Sequence, residues 1–178
     1  MGVGEMKTPV EFFAECPVPH MIIGGHAVRA YGYARQTVDF DCMVAVHSVN
    51  ELSKFLRQHD YTEVGRMGGF VRYHCKDRTI GDLDVMPVNE ETFGKMLQDS
   101  RVIDVGSLKV RVPKPLHLIA LKLHAIKNNG QREMKDGADI IEILRIHGAE
   151  IPESELAAMC KRYAPPGFFE RLQTILKQ

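Results

Sequence analysis

Residues 24–46 read GGHAVRAYGYARQTVDFDCMVAV, and how this stretch folds decides how the rest of the chain is read. Two glycines end the short apolar segment PHMIIGG (residues 19–25), and residues His26 to Tyr33 carry alanine, valine and arginine at helical spacing. The run that follows holds two aspartates, Asp39 and Asp41, one residue apart. Val38, Phe40, Cys42 and Val44 alternate with Thr37, Asp39, Asp41 and Met43, the period-2 pattern of a strand with one apolar face and a charged end on the other.

In a strand, residues i and i+2 project to the same side about 7 Å apart. Two like charges so placed repel. They are tolerated when solvated, when one is protonated, or when a divalent cation sits between them, and magnesium commonly takes one or two carboxylates plus substrate phosphates. Taken alone, an Asp-x-Asp more often faces water than a cation. Three further features shift that balance. Gly24 and Gly25 stand between a strand and a helix, where glycine permits close approach of a phosphate to the backbone. A second pair, Asp82 and Asp84 in GDLDV (residues 81–85), occupies another strand segment, and either member completes a triad if the two strands are neighbours. Arg35 and Thr37 lie just ahead of Asp39, suited to orient carboxylates or hold phosphate.

Outward from this stretch, residues 8–17 read as a short helix or loop, and residues 49–61 (VNELSKFLRQHDY) as a helix burying Leu52, Phe55 and Leu56. The segment Tyr61 to Val88 reads as strands, with FVRYHC (70–75), a turn around KDRT (76–79) and IGDLDVMPV (80–88). A helix over residues 90–100 precedes RVIDVGSLKVRVP (101–113), whose Gly106-Ser107 pair marks a two-residue hairpin turn. From Pro115 the pattern is helical: 115–128 buries Leu116, Ile119, Leu123 and Ile126, 132–148 buries Ile140, Ile143 and Leu144, and further helices cover 153–163 and the tail after Pro166. The expected fold class is α/β (α+β), a small mixed sheet in residues 1–113 with a helical section over 114–178.

The bulk composition narrows the function classes. Lysine plus arginine and aspartate plus glutamate each number 23 in 178 residues, so no global basic field draws in a polyanion. Lys109, Arg111, Lys114, Lys127, Arg132 and Lys135 form at most a local basic rim. Cys16, Cys42, Cys75 and Cys160 are far apart with no CxxC pair, and no secretory leader opens the chain, which points to reduced thiols in the cytoplasm. No apolar run approaches the ~20 residues of a membrane span. His74 and Cys75 are neighbours on a strand and point to opposite faces, which argues against zinc there. His26 reads as packed or solvent-facing, and His117, His124 and His147 as helix-face residues.

The glycine turn, short helix and Asp39-x-Asp41, followed by a third strand aspartate, resemble the nucleotidyltransferase (polymerase beta-like) superfamily. The Arg35-x-Thr37-x-Asp39-x-Asp41 version, with the hairpin and helices of residues 105–145, is similar to its minimal bacterial branch of AbiEii-type toxins and stand-alone transferases. The resemblance covers residues 20 to 145. It implies a small mixed twisted sheet with flanking helices and a helical C-terminal section that closes a nucleotide cleft. It implies two Mg2+ ions on Asp39 and Asp41, with Asp84 as third carboxylate and Asp82 in reserve, and an NTP co-substrate. On this resemblance Gly24 and Gly25 belong to the nucleotide site, with Arg35 and Thr37 beside the metal pair as positioning groups rather than ligands. Lys122 matches the lysine that contacts triphosphate, although on residue grounds it reads as a solvated helix-face lysine. Asp136 and Asp139 match a Lys-Asp-x-x-Asp helix, although Arg132–Asp136 and Lys135–Asp139 also read as exposed i,i+4 pairs; of the two, Asp136 is assigned a site role. The implied reaction moves a nucleoside monophosphate to a hydroxyl on a tRNA end, a protein side chain or a small molecule, with a cognate toxin or antitoxin as partner. The alternative is a catalytically inactive nucleotide-binding or regulatory module of the same fold.

Overall fold

The computed structural model describes residues 9–77 and 80–177. Thr8 and the Arg78-Thr79 part of the expected KDRT turn lie outside the described residues. The chain divides into two compact units: residues 1–30 with 35–113, and residues 31–34 with 114–178.

The first unit contains α1 (Pro9–Ala14), β1 (His20–Ile22), α2 (Gly24–Ala30), β2 (Phe40–Ala45), α3 (Val49–Gln58), β3 (Tyr61–Met67), β4 (Phe70–Cys75), β5 (Leu83–Val88), α4 (Glu90–Gln98), β6 (Arg101–Val105) and β7 (Leu108–Val112). Five strands form a mixed sheet in the order β1-β2-β5-β4-β3. Among the described residues only β2 and β5 run parallel; β1 pairs β2, and β4 pairs both β5 and β3, antiparallel. The β6–β7 hairpin is a separate two-stranded sheet that turns at Gly106-Ser107 and packs on β1 and α1. The β3–β4 hairpin turns at Gly68 and Gly69, both at positive φ, a turn that the sequence pattern did not single out.

The core of this unit lies on both faces of β2. Cys42, Met43 and Val44 are fully buried, so the expected alternation of a half-exposed strand holds only at its entry, where Asp41 is half-buried. Phe40 stacks on Phe13 at 4.9 Å, and Phe12 contacts Phe13, Phe55, His59 and Tyr61, which knits α1 to α3 and β3. Under the sheet, the Ser53 hydroxyl donates to the Val49 carbonyl and shares a 2.6 Å bond with the Tyr73 hydroxyl, which satisfies two buried polar groups. Asn89 caps α4 by accepting from the Thr92 amide at 2.8 Å.

The second unit contains α5 (Pro115–Asn128), α6 (Glu133–His147), α7 (Glu153–Tyr163) and α8 (Phe168–Leu176). The expected apolar stripes are buried: Leu116, Ile119, Leu123 and Ile126 on α5, and Ile140, Ile143 and Leu144 on α6. His147 is more than a helix-face residue. Its Nε2 lies 3.0 Å from the Tyr31 carbonyl and its ring packs edge-on against Tyr31, which ties residues 31–34 to the end of α6. No described helix is long and apolar enough to cross a membrane.

Candidate functional site

Parallel pairing of β2 with β5 sets Asp41 opposite Asp84, and antiparallel pairing of β4 with β5 sets Arg72 opposite Asp84. Register partners share a face of the sheet, so Asp41, Asp84 and Arg72 form a row across three adjacent strands. Arg72 Nε donates to Asp84 Oδ1 and Nη2 to Asp84 Oδ2, both at 2.7 Å, the two-pronged geometry that a guanidinium makes with a carboxylate. Hydrogen bonding to Asp84 raises the Arg72 pKa further, so this group stays a cation. Asp82, one step ahead of β5, is engaged separately: its backbone carbonyl accepts from the Phe40 amide, and its carboxylate meets His74 Nδ1 at 2.7 Å. Cys75 is buried on the other face.

Asp39 stands outside the strand. β2 begins only at Phe40, and Val38 is 85% exposed rather than part of the apolar face, because β5 offers pairing no earlier than Leu83, opposite Phe40. Asp39 is therefore an exposed residue at the strand mouth, with its carbonyl accepting from the Thr37 hydroxyl at 3.4 Å.

The glycine turn fits closely over these groups. Gly24 has φ +63°, and a Cβ there would lie 2.7 Å from Asp41 Cγ and closer still to its Oδ2. A Cβ on Gly25 would meet Arg35 Nη2 at 2.8 Å and crowd the Thr37 hydroxyl. Both glycines thus hold space that any side chain would take from Asp41, Arg35 or Thr37. Arg35 also donates from Nη1 to the Gln36 carbonyl at 3.0 Å. His26 packs its ring against Phe40 at 5.1 Å, and burial, reinforced by Arg29 and Arg35, lowers its pKa.

Lys122 and Asp136 belong to the helical unit, where the structure corrects how they were read from the residues alone. Lys122 is not on a solvated face: its side chain is 6% exposed and donates to Asp136 Oδ1 at 3.0 Å and Asp139 Oδ2 at 2.6 Å. Both aspartates are 1% exposed. Arg132 reaches Asp136 Oδ2 at 2.6 Å as expected, whereas Asp139 is bonded by Lys122 across the α5–α6 contact. Burial pushes the Asp136 carboxyl up, but the Arg132 hydrogen bond and the Lys122 cation outweigh it and hold its pKa below the ordinary value.

Among the described residues, no three His, Cys, Asp or Glu side chains already converge as a metal cage. The donor set nevertheless suits a hard cation. Magnesium rarely uses an all-protein cage; it takes one or two carboxylates and completes its shell with water and phosphate. Asp41, packed against Gly24, and the exposed Asp39 supply carboxylates of that kind. The groups that sequence reasoning missed are Arg72 and His74. The alternation in FVRYHC places both on one strand face, but which carboxylate each meets depends on a strand register that no local signal specifies.

No family model matches the chain, and no curated protein matches its sequence. Solved structures do match. The antibiotic-resistance factor ANT(2'')-Ia, in its solution structure, aligns over 87% of this chain and 89% of that chain at 17% identity, with TM-score 0.68. Its crystal structure in complex with adenylyl-2''-tobramycin aligns over 88% and 95% at 19% identity, also with TM-score 0.68. The lincosamide antibiotic adenylyltransferase LnuA, lincomycin-bound, aligns over 75% and 90% at 16% identity, with TM-score 0.56. At these identities the likeness establishes the fold: a mixed α+β arrangement like that of the nucleotidyltransferases.

Proposed function

We propose that the chain is a magnesium-dependent nucleotidyltransferase that moves a nucleoside monophosphate from an NTP to a hydroxyl group. The observation that carries this reading is the register of Asp41 against Asp84 beside Gly24, where a Cβ would strike Asp41. In this reading Asp39 and Asp41 hold the metal, with Asp84 beside them, and the triphosphate lies along the Gly24-Gly25 turn, with Arg35 and Thr37 at its flank. When bound, magnesium lowers the pKa of the acceptor hydroxyl and offsets the triphosphate charge. The acceptor oxygen forms a bond to the α-phosphorus as the bond to the β-phosphate oxygen breaks. Pyrophosphate leaves, and the acceptor proton passes to the Asp84 carboxylate.

A small hydroxylated compound is the acceptor that we favour. ANT(2'')-Ia is an antibiotic-resistance factor seen in complex with adenylyl-2''-tobramycin and LnuA is a lincosamide antibiotic adenylyltransferase seen with lincomycin bound, and the neutral charge balance of this chain suits a small acceptor better than a polyanion. The tRNA ends, protein side chains and toxin or antitoxin partner implied by the Arg-x-Thr resemblance are the other arms of the same screen. A second reading, a nucleotide-binding module without turnover, draws support from one observation: both Asp84 oxygens are engaged by Arg72.

The test is transfer of label from each α-labelled NTP onto a panel of aminoglycosides, lincosamides, tRNA and protein. The proposal expects labelled product on one acceptor class and its loss in Asp41→Asn. Transfer that persists in Asp41→Asn would overturn the site assignment. Tight nucleotide binding without transfer to any class would leave the non-catalytic module.

A further inference from the structure

Four carboxylates, Asp39, Asp41, Asp82 and Asp84, gather at the entries of β2 and β5, and β4 lays one basic group against each of the last two: His74 on Asp82 and Arg72 on Asp84. The two members of the Arg72–Asp84 pair are unequal. Asp84 is fixed on a central strand and its side chain is 17% exposed, whereas the Arg72 side chain is 56% exposed and has solvent to swing into. Asp39 and Asp82 also act on Arg72 through their charge. The fork engages both Asp84 oxygens, which are the atoms that a cation or a reacting proton would need.

From this we infer that Arg72 is a positioning residue: a tethered cation that occupies the Asp84 carboxylate until a divalent ion enters the acid cluster, so that it sets the metal concentration at which the site fills. The inference rests on the nucleotidyltransferase reading and deepens it. Without a metal, adjacent carboxylates repel one another, and a cation among them relieves that repulsion. A guanidinium cannot lose its proton in this environment, so the pair opens by displacement. The guanidinium end of the pair stands in solvent, so a divalent charge close to Asp41 competes with it for the Asp84 carboxylate. Once Arg72 has left, Asp84 regains the lone pairs with which it takes the acceptor proton.

The test is Mn2+ binding without nucleotide, read from the electron paramagnetic resonance signal of free Mn2+, for wild type, Arg72→Gln, Arg72→Lys and Asp41→Asn. Removing one like charge a few ångströms from a divalent ion at the surface is expected to tighten Mn2+ binding in Arg72→Gln by roughly tenfold. Arg72→Lys, which restores the charge, is expected to return affinity toward wild type, an effect that a merely structural arginine would not produce. Thermal melts check that the variants fold, as the exposure of Arg72 leads one to expect. If Asp41→Asn abolishes binding but Arg72→Gln binds no tighter than wild type, the inference about Arg72 is wrong and the metal site stands. If neither wild type nor Arg72→Gln binds Mn2+ at millimolar concentration, the inference is overturned, while the functional reading is decided by NTP titration with and without magnesium, because magnesium completes its shell with phosphate.

Discussion

Lys122→Met removes a cation that two buried carboxylates share and leaves a side chain of similar length in its place. Lys122 donates to Asp136 at 3.0 Å and to Asp139 at 2.6 Å, with side-chain exposures of 6%, 1% and 1%. Removing one partner from a buried ionic cluster costs about 3–5 kcal/mol, because the opposite charges stay out of water. Arg132 still reaches Asp136 at 2.6 Å, which places this case at the lower end, about 3 kcal/mol. For a chain of this size each kcal/mol moves the melting midpoint by about 2–4 °C, so the shift is roughly 6–12 °C. Urea unfolding and thermal melts by circular dichroism read it. The triple variant Lys122→Met, Asp136→Asn, Asp139→Asn removes the stranded charges as well and regains a large part of the loss, since replacing a whole buried ionic cluster is often close to neutral. A loss below about 1 kcal/mol for Lys122→Met would refute the reasoning. If stability holds while NTP affinity falls, Lys122 serves the triphosphate, as the family resemblance implies, rather than the α5–α6 contact.

Gly24→Ala places a side chain at φ +63° and drives its Cβ into Asp41; unfolding free energy falls by about 1–2 kcal/mol and metal binding weakens, read by urea melts and Mn2+ titration. Gly25→Ala, whose φ is outside the left-handed region, perturbs Arg35 and Thr37 without that backbone strain. The Asp136 carboxyl is held below its ordinary value of 3.8 in the folded state, so its contribution is complete above pH 3.8 and is lost as pH falls through that value toward the folded pKa; Asp136→Asn flattens this part of the stability profile in urea melts taken across it. Tyr73→Phe breaks the buried 2.6 Å bond to Ser53 and costs about 1 kcal/mol in the same melts, because Ser53 keeps its bond to Val49.

Much of this fold is legible in local pattern, and the failures are instructive. The helices over residues 115–128 and 153–163 match the sequence reading because both begin at a proline boundary, and the first also carries a continuous apolar stripe. The strand through Asp39 and Asp41 is shorter than its alternation suggests. Val38 fits the apolar face by period alone, yet a strand lasts only as long as its partner, and β5 starts opposite Phe40. Similarly, Lys122 and Asp139 look like surface residues of amphipathic helices. They are buried because α5 and α6 bring the two together, an approach of residues 17 apart that no i,i+4 rule contains. The attachment of residues 31–34 to the helices depends on a bond from His147 to Tyr31 across 116 residues. The Asp41–Asp84 row is read partly from sequence, since both lie in strand segments, but the Arg72 fork needs the register of a third strand.

The measurement that bears most directly on the central claim is calorimetric titration of the four NTPs, with and without magnesium, into the wild-type protein and Asp39→Asn/Asp41→Asn. The account predicts that wild type binds at least one NTP in a magnesium-dependent manner and that the double variant does not. Equal binding by both proteins, or binding indifferent to magnesium, would contradict it.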